Sequence, residues 1–449
     1  MIEARAIDGL RRRLKGTLVG PTDPDYESLR RVWNGMVDKR PALIARCAIV
    51  EDVIACVEFA AAQQVPIAAR GGGHNFAGIT LCEEGVTVDL SLMKSIEIDP
   101  ERRTARADAG LKLGEFDRET QKHGLATTLG VATTTGISGL TLGGGYGWLA
   151  GKHGLACDNL LSAQIVTADG RFLTCSAEQN PDLFWALRGA GANFGIVTQL
   201  EYRLHPLDGV LGGPILHPLG ENVFRFYDEF ARAAPDDLTT LGAAMVGPDG
   251  IPAFATLVCW CGSVEEGERV LEPLRKFGAP IADLIQRRPY LEMQALFDAA
   301  NPPGRRYYNK AHNVSVLQDG AIDAMLRYGR QLRVPGSGAA LQQLHGAASR
   351  VPPAATAFPH RHDHYVLWIS PICDDPAADE PMMRAARECW EELEPFVERS
   401  VYVNALDDTD EDGEGRVREA YGANYERLRE LKRKYDPGNL FRRNLNIPP

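Results

Sequence analysis

The sequence lacks the segments by which several classes of protein are recognised. It has no run of about 18 apolar residues, so no membrane-spanning helix is predicted, and its N-terminus has no apolar stretch of signal-peptide length. With 60 acidic against 49 basic residues the net charge is −11, which argues against a nucleic-acid partner or an anionic membrane. The nine cysteines are scattered, odd in number and without zinc-ligand spacing. We therefore expect reduced, mostly buried thiols in a cytoplasmic protein.

Two common nucleotide-binding motifs are also missing. No Gly-Lys-Ser/Thr follows a glycine-rich stretch, which argues against a Walker loop and the kinases that use it. No Gly-x-Gly-x-x-Gly opens a helix, so the usual dinucleotide-binding fingerprint of NAD-dependent dehydrogenases is absent. If the protein binds a phosphate group, a different kind of loop must bind it.

The chain is long enough for two domains. It has 449 residues, of which 44% are hydrophobic and 24% charged, an ordinary globular composition. Up to about residue 205 helices and strands alternate around glycine-rich loops, whereas residues 206–400 contain strand-like runs and amphipathic helices without such loops. The predicted fold class is α+β, with residues 1–205, 206–400 and 401–449 as its three successive parts.

Several local patterns predict individual elements. Residues 51–63 place apolar side chains on one helical face, and the alternation within residues 85–90 predicts a half-buried strand. A single charged helix is predicted over residues 417–435, ended by Asp436-Pro437-Gly438. The acidic run at residues 407–412 is predicted to be a solvated surface loop.

Two glycine-rich stretches are the most informative feature of the first 205 residues. Gly71-Gly72-Gly73 directly follows a predicted strand and can arrange successive backbone N–H groups around a pyrophosphate, although such a triplet more often forms a tight turn. The second stretch, residues 136–148, contains six glycines in thirteen residues. Two loops of backbone donors suit a long, diphosphate-bearing cofactor better than a small metabolite, with plain turns as the alternative.

Together with five further segments, the two glycine-rich loops form a set of recognisable sequence motifs. They occur in order from one end of the chain to the other and read as follows: Arg70 to Asn75, Gly143 to Gly147, Gly154 to Leu160, Asp182 to Gly189, Asn193 to Thr198, Tyr421 to Leu428 and Tyr435 to Phe441. In these segments the chain resembles flavin-linked oxidases of the berberine bridge enzyme-like or 6-hydroxy-D-nicotine oxidase-like group, within the vanillyl alcohol oxidase/p-cresol methylhydroxylase superfamily. The resemblance implies a discontinuous FAD-binding domain (residues 1–205 and 401–449) and a substrate domain with an antiparallel sheet covered by helices.

The resemblance also implies how FAD is held. In such families the histidine of the first loop bonds to the 8α-methyl of the isoalloxazine, and His74 occupies that place. Some members add a cysteinyl bond, but Ala132 stands where the thiol would be, so one bond through His74 is expected; Cys157 belongs to another motif and is interpreted as a packing residue. The implied FAD contacts are Arg70, Gly71, Gly72, Gly73, His74, Asn75, Gly78, Thr133, Thr134, Gly136, Ser138, Gly139, Gly143, Gly147, Gly195, Val197, Asn404, Asn444 and Asn446.

The resemblance leaves the catalytic base open. Relatives commonly use the second tyrosine of a Tyr-x-Asn-Tyr motif, and here residues 402–405 read Tyr-Val-Asn-Ala. An acidic base of another relative, counted back from the Pro-His-Arg motif, falls on Arg350. Tyr402, Tyr146 and Tyr308 are the substitute candidates. An amine that is already neutral needs no protein base at all.

Three histidines alternate at positions 360, 362 and 364. In a strand they would share one face, and such a face could bind a metal. The resemblance treats Pro359-His360-Arg361 as a structural segment, so no metal is expected.

The function expected from the resemblance is oxidation of a small-molecule alcohol or amine. Hydride would pass to covalently bound FAD, and O₂ would reoxidise the flavin and give H₂O₂. The alternatives are a dehydrogenase with another electron acceptor, which access of oxygen near Thr135 would decide, and a non-catalytic flavin-binding protein. The expected partners are a small-molecule substrate and O₂, with the chain as a monomer or homodimer.

Overall fold

A computed structural model describes residues 2–247, 249–406 and 413–449. The acidic run predicted as a surface loop, residues 407–412, lies outside the described residues. Among the described residues, no helix combines the length and the apolar character that crossing a membrane requires. All nine cysteines are unpaired; eight are buried and Cys261 is partly buried, as expected from the sequence.

The first part of the chain contains two sheets. Its strands are β1 (Thr17–Val19), β2 (Leu43–Arg46), β3 (Ile67–Arg70), β4 (Val86–Asp89), β5 (Ile96–Asp99), β6 (Thr104–Asp108), β7 (Leu125–Ala126), β8 (Leu160–Val166), β9 (Phe172–Ser176), β10 (Ile196–Arg203) and β11 (His205–Pro206). Its helices are α1 (Ala4–Arg13), α2 (Tyr26–Leu29), α3 (Val50–Gln63), α4 (Leu113–Gln121), α5 (Ile137–Leu142), α6 (Ala150–His153) and α7 (Pro181–Ala190). One sheet has the order β1-β2-β4-β3 and the other β5-β6-β10-β8-β9, while β7 pairs with β11.

The smaller sheet positions the first glycine loop. Strands β2, β4 and β3 run parallel, so the loop at residues 71–75 lies at the carboxyl end of β3. The prediction that residues 85–90 form a half-buried strand is wrong in its burial, because all four residues of β4 are buried. Strand β4 lies between β2 and β3, and its polar residues are buried with partners: Asp89 pairs with Arg70 at 2.5 Å, and Thr87 Oγ1 accepts from the Cys82 N–H at 3.3 Å.

The second part is built on one large antiparallel sheet. Its strands are β12 (Val210–Pro218), β13 (Leu238–Val246), β14 (Pro252–Trp260), β15 (Ala282–Asp283), β16 (Gln286–Arg288), β17 (Arg306–Tyr307), β18 (Lys310–Val314), β19 (Gly338–Leu344), β20 (His364–Ser370) and β21 (Ile372–Cys373). Its helices are α8 (Glu221–Arg232), α9 (Val264–Lys276), α10 (Tyr290–Gln294), α11 (Asp319–Gln331), α12 (Ala347–Arg350) and α13 (Asp379–Leu393). The sheet order is β15-β12-β14-β13-β19-β20-β18, with β16 also paired to β12.

The two faces of this sheet have different roles. Leu341, Leu367 and Ile369 belong to one buried core with Ile322 and Met325 of α11. Since neighbouring residues in a strand point to opposite faces, the alternate positions of β19 and β20 face away from these helices. The predicted α+β class and the helix-covered antiparallel sheet are confirmed.

The C-terminal segment packs against the first part of the chain. Leu428 and Ile447 are fully buried in the same core as Val53 and Val88. The ammonium group of Lys432 donates hydrogen bonds to the carbonyl of Asn193 at 2.8 Å and pairs with Asp436. These contacts agree with a tail that returns to the first part, while the domain bounds at residues 205 and 400 stay a prediction.

The prediction of a single charged helix over residues 417–435 is wrong. The structure has α14 (Gly413–Tyr421), a 3₁₀ turn (Gly422–Asn424) and α15 (Tyr425–Tyr435). Gly422 has a φ of 46°, outside the right-handed helical region, and Asn424 Nδ2 donates to the Thr356 carbonyl at 3.1 Å. The helix is therefore interrupted at the turn where Asn424 bonds to Thr356, and the helical periodicity of the sequence did not predict this interruption.

A buried carboxyl group between α4 and α10 makes stability depend on pH. Asp117 is fully buried, and burial raises its pKa to about 7, although Gln294 Nε2 donates to it at 2.9 Å. Between about pH 4 and 7 the folded protein holds a proton that the unfolded chain releases, so stability falls as the pH rises through that window.

We predict that Asp117→Asn removes this loss, because an amide does not titrate. Between pH 5 and pH 8 we expect the free energy of unfolding of the unmodified protein to fall by about 3 kcal/mol, because about two pH units lie below the folded pKa of about 7 and each contributes roughly 1.4 kcal/mol. Denaturant unfolding at pH 5 and pH 8 measures it, with the exposed Asp208→Asn as the control for losing a negative charge. An equal loss of stability from pH 5 to pH 8 in Asp117→Asn and the unmodified protein would contradict the prediction.

Candidate functional site

A cavity of about 460 Å³ lies between the two glycine-rich stretches, the large antiparallel sheet and the C-terminal segment. Many of the residues predicted to contact a cofactor or substrate line it, namely Gly71, Gly72, Gly73, His74, Asn75, Gly136, Ser138, Gly139, Tyr146, Gly195, Val197, Tyr402, Asn404 and Asn444. Segments separated by more than 300 residues in the sequence therefore meet at one site.

The two glycine-rich stretches contact each other directly. A Cβ atom at Gly72 would lie 2.2 Å from the backbone nitrogen of Gly136, and one at Gly71 would lie 2.6 Å from Ser138 Oγ. Only glycine permits so close an approach. None of the backbone N–H groups of residues 71–75 has a hydrogen-bond partner among the described residues. They remain available to an anionic group bound in the cavity.

His74 is held beside this cradle by a hydroxyl group and an indole ring. Its Nε2 atom lies 2.9 Å from Thr134 Oγ1, and its ring stacks on Trp33 with 4.2 Å between centroids. Trp33 in turn stacks on Tyr307 at 3.7 Å. Burial lowers the pKa of His74 to about 4, so the imidazole is neutral at neutral pH and keeps a lone pair for bond formation.

Two of the three candidate tyrosines line the cavity. Tyr146 and Tyr402 are buried with 4.6 Å between their ring centroids. The Tyr402 oxygen accepts hydrogen bonds from the Gly145 N–H at 3.1 Å and from Asn404 Nδ2 at 2.8 Å, while burial raises its pKa to about 12. Tyr308 is not among the lining residues and belongs to the core between the large sheet and its helices.

Tyr146 is paired with a histidine that sequence reasoning did not connect to it. The Tyr146 hydroxyl lies 3.0 Å from His364 Nε2, and His364 Nδ1 lies 2.7 Å from the carbonyl of His362. A carbonyl only accepts, so Nδ1 carries the proton. Burial lowers the pKa of His364 to about 3, which leaves Nε2 as an acceptor. The Tyr146 hydroxyl is therefore the donor, and its own oxygen lone pairs stay free.

Comparison with known proteins identifies the family. Residues 41–176 match a family model described as FAD binding domain, and residues 401–448 match one described as berberine and berberine like. (R)-6-hydroxynicotine oxidase of Paenarthrobacter nicotinovorans is 32% identical over 97% of this chain and 97% of its own length. An FAD-linked oxidoreductase of Dictyostelium discoideum is 30% identical over 94% and 92%. The chain belongs to the berberine bridge enzyme-like family.

Solved structures agree with this assignment. The crystal structure of 6-hydroxy-D-nicotine oxidase from Arthrobacter nicotinovorans superposes with a TM-score of 0.87 at 30% identity and covers 97% of this chain and 98% of that one. A chitooligosaccharide oxidase structure has a TM-score of 0.88 at 23% identity over 99% of both chains, which shows the shared fold. This berberine bridge enzyme-like protein is an FAD-dependent oxidoreductase.

The cradle fits the FAD that the family implies. Unpartnered N–H groups at residues 71–75 suit the negatively charged diphosphate, and the Gly72–Gly136 contact leaves backbone rather than side chains at the surface. Ala132, where some relatives have cysteine, lines the same cavity. Cys157 is fully buried and does not line the cavity; its Sγ lies 3.8 Å from Arg361 Nη2.

The remaining predicted cofactor contacts are not among the residues that line the cavity. Arg70 pairs with the buried Asp89 at 2.5 Å, and the Thr133 N–H donates to Asp298 at 3.1 Å. Three glycines permit close packing, with Gly78 against Val37, Gly143 against Asn404 and Gly147 against the Leu129 carbonyl. Thr134 contacts His74, and Asn446 Oδ1 is buried without a partner among the described residues.

The three alternating histidines do not share a strand face. Only His364 lies in β20, while His360 Nε2 lies 2.9 Å from the Ala420 carbonyl and His362 lies 3.2 Å from Glu398. The arrangement in which one strand holds all three histidines does not occur, because the chain enters the sheet only at His364. Within the described parts of the chain, no group of three or more potential metal ligands was found.

Sequence reasoning missed much of the cavity wall outside the glycine loops themselves. These residues are Trp33, Phe76, Leu241, Phe297, Asn301, Ala340, Gln342, Trp368, Ser370 and Arg443. Strand alternation places Trp368 and Ser370 on one face of β20, and the pairing of Trp368 with Ala340 puts Ala340 and Gln342 on that face too. The sequence shows the alternation of the side chains, but it does not show which face of the strand meets a cavity.

Proposed function

We propose that this protein is an oxidase of small-molecule alcohols or amines, with FAD attached through His74 alone and O₂ as electron acceptor. The neutral, stacked imidazole of His74 at the edge of the glycine cradle carries the proposal. Several relatives and structural neighbours are oxidases of a nicotine derivative or of carbohydrates, which supports this class of activity.

A single attachment follows from the side chains beside the cradle. His74 offers a nitrogen lone pair, and Ala132 has no group that could form a second bond. The thiol of Cys157 is buried against Arg361, and burial raises its pKa, so it is neither exposed to the cavity nor a thiolate.

The bound FAD supplies a hydride acceptor, and the protein supplies the surroundings in which the transfer occurs. Residues 71–75 hold the diphosphate, Tyr146 offers lone pairs to a donor on the substrate, and Trp368 and Phe297 contribute apolar surface that excludes water. For an alcohol the overall reaction is R₂CHOH + O₂ → R₂C=O + H₂O₂.

Oxygen reactivity is tested without knowing the substrate. We expect the photoreduced protein, mixed with air-saturated buffer, to regain its yellow colour faster than free reduced FAD and to release one H₂O₂ per flavin. Absorbance and a peroxide assay follow the two quantities. Flavin that stays reduced in air but is reoxidised by a quinone would instead favour a dehydrogenase.

A panel of alcohols and amines then separates catalysis from simple flavin binding. Under argon, at least one compound is expected to bleach the flavin. Failure of every compound, together with rapid reoxidation in air, would favour the non-catalytic alternative. Thr135 lines the cavity and is a position at which a larger side chain would test oxygen access.

A further inference from the structure

The cavity is almost free of charged side chains. Among the described residues, no aspartate, glutamate or lysine lines it, and burial keeps the imidazole of His74 neutral. Of the lining residues in the described ranges, Arg443 alone has a permanent charge, and it belongs to the C-terminal segment beside Phe441 and Asn444. The wall formed by the large sheet therefore offers no counter-ion to a charged substrate, and burial of an unpaired charge is strongly unfavourable.

The polar groups on that wall have fixed hydrogen-bonding directions. Ser370 Oγ donates to Asn309 Oδ1 at 2.9 Å. Asn309 cannot be flipped, because its Nδ2 donates to the Ala405 carbonyl at 2.8 Å and a carbonyl cannot donate in return. Ser370 therefore has only oxygen lone pairs left for the cavity, and it acts there as an acceptor.

Gln342 has the opposite hydrogen-bonding role to Ser370, because it offers a donor to the cavity. The indole Nε1 of Trp368 donates to Gln342 Oε1 at 3.2 Å, and an indole can only donate. The amide oxygen must therefore point at Trp368, which leaves the Nε2 hydrogens as donors. Gln342 and Trp368 lie on the cavity face of neighbouring strands, so this orientation is set within the sheet.

Tyr146 adds a second acceptor by the same reasoning. Its hydrogen is directed at His364 Nε2, whose partner nitrogen is fixed by the His362 carbonyl. The cavity thus combines acceptors at Ser370 and Tyr146 with a donor at Gln342, between apolar side chains such as Leu241 and Phe297.

We propose that the cavity selects a neutral, largely apolar substrate that carries a hydroxyl group, and that Gln342 is the residue which sets this selectivity. A hydroxyl is both donor and acceptor, so it can use either kind of group in this cavity: it can accept from Gln342, or it can donate to Ser370 or Tyr146. A protonated amine has only donors and a charge without a counter-ion. A carboxylate has only acceptors. This inference rests on the proposed oxidase function for the site but concerns binding alone.

Matched ligands test the selectivity. The probes are benzyl alcohol, benzylamine and benzoate, with the same three head groups on cyclohexylmethyl and naphthylmethyl scaffolds. Each is mixed under argon at pH 7.5 with the protein containing oxidised FAD, and the flavin absorbance is recorded immediately to obtain Kd. We expect the alcohol to bind at least tenfold more tightly than the amine and the acid on each scaffold that binds. Tighter binding of an amine or acid, or no binding of any alcohol at millimolar concentration, would overturn the proposal.

Two substitutions at one position test the role of Gln342. Gln342→Glu keeps the shape and adds a negative charge, so we expect benzylamine to gain at least tenfold in affinity and the alcohol preference to be lost. Gln342→Met is the matched neutral control and should weaken alcohols without strengthening amines. Unchanged preferences in Gln342→Glu, with flavin content and thermal stability retained, would contradict the assignment.

The readout separates this proposal from the proposed function. Binding is measured with oxidised flavin and without oxygen, so a protein that fails to release peroxide can still show the alcohol preference. A protein that releases peroxide but prefers amines would keep its oxidase function and lose the inference about the cavity.

Discussion

Replacing His74 by alanine is expected to move all of the flavin from the acid-precipitated protein into the supernatant. In the unmodified protein the yellow colour should stay with the pellet, because a bond between imidazole nitrogen and flavin carbon survives unfolding. The structure favours this bond at His74, where burial lowers the pKa to about 4 and keeps the nitrogen unprotonated. Absorbance of pellet and supernatant at the flavin maximum measures the outcome. Colour in the supernatant of the unmodified protein would refute covalent attachment.

Cys157→Ala is the matched control for a second attachment. Its thiol is buried against Arg361 away from the cavity, so the pellet should keep the same amount of flavin as the unmodified protein. Colour retained in the pellet of His74→Ala and lost in the double variant would show a cysteinyl bond that the structure does not support. Since His74→Ala leaves the backbone N–H groups of residues 71–75 in place, the native variant should still bind FAD reversibly.

The cofactor side of the site could be predicted because its physical requirements appear directly in the sequence. At Gly72 and Gly136 the two loops approach so closely that any side chain would collide with backbone. A ligand cradle of this kind requires particular residues at particular spacings, and these form recognisable motifs. His74 lies in such a motif, and the resemblance to the family identifies it without knowledge of its neighbours Trp33 and Thr134.

The substrate side could not be predicted in the same way. Gln342, Trp368 and Ser370 form a wall only because β19 and β20 pair in one register, which brings together residues from separate segments. The sequence predicts strand-like runs within residues 206–400, but their pattern does not say which face meets the cavity. The same limit explains Tyr308, which has the right chemistry for a base and yet lies in the core between sheet and helices.

Charge and hydrogen-bond direction together limit the substrate groups that this site can bind. His364 and Asn404 are each oriented by a backbone carbonyl, so the polarity of Tyr146 and Tyr402 follows from the fold rather than from the ligand. Tyr402 uses its oxygen to accept two hydrogen bonds and keeps a hydrogen, whereas Tyr146 gives its hydrogen to His364 and keeps lone pairs. Of the two, Tyr146 is the group that can receive a hydrogen bond from a substrate hydroxyl.

Tyr146→Phe is accordingly expected to slow flavin reduction by about 100-fold, the lower end of the range for a positioned group that receives a proton or hydrogen bond. The rate is measured by stopped-flow bleaching under argon, per bound flavin, with an alcohol that the panel identifies. Tyr308→Phe is the control, because Tyr308 does not line the cavity, and its rate should match that of the unmodified protein. Equal rates in Tyr146→Phe and Tyr308→Phe would remove Tyr146 from the reaction.

The pH profile distinguishes a neutral Tyr146 from a phenolate base. Burial raises the pKa of Tyr146 well above its usual value and lowers the pKa of His364 to about 3, so neither group titrates between pH 6 and 9. We therefore expect the reduction rate to be independent of pH across this window in the unmodified protein. A rate that rises with pH through one ionisation, and loses that dependence in Tyr146→Phe, would instead identify the phenolate as the base. In that case the Tyr146–His364 hydrogen bond would have to break before the reaction, because the phenolate has no proton to donate to Nε2.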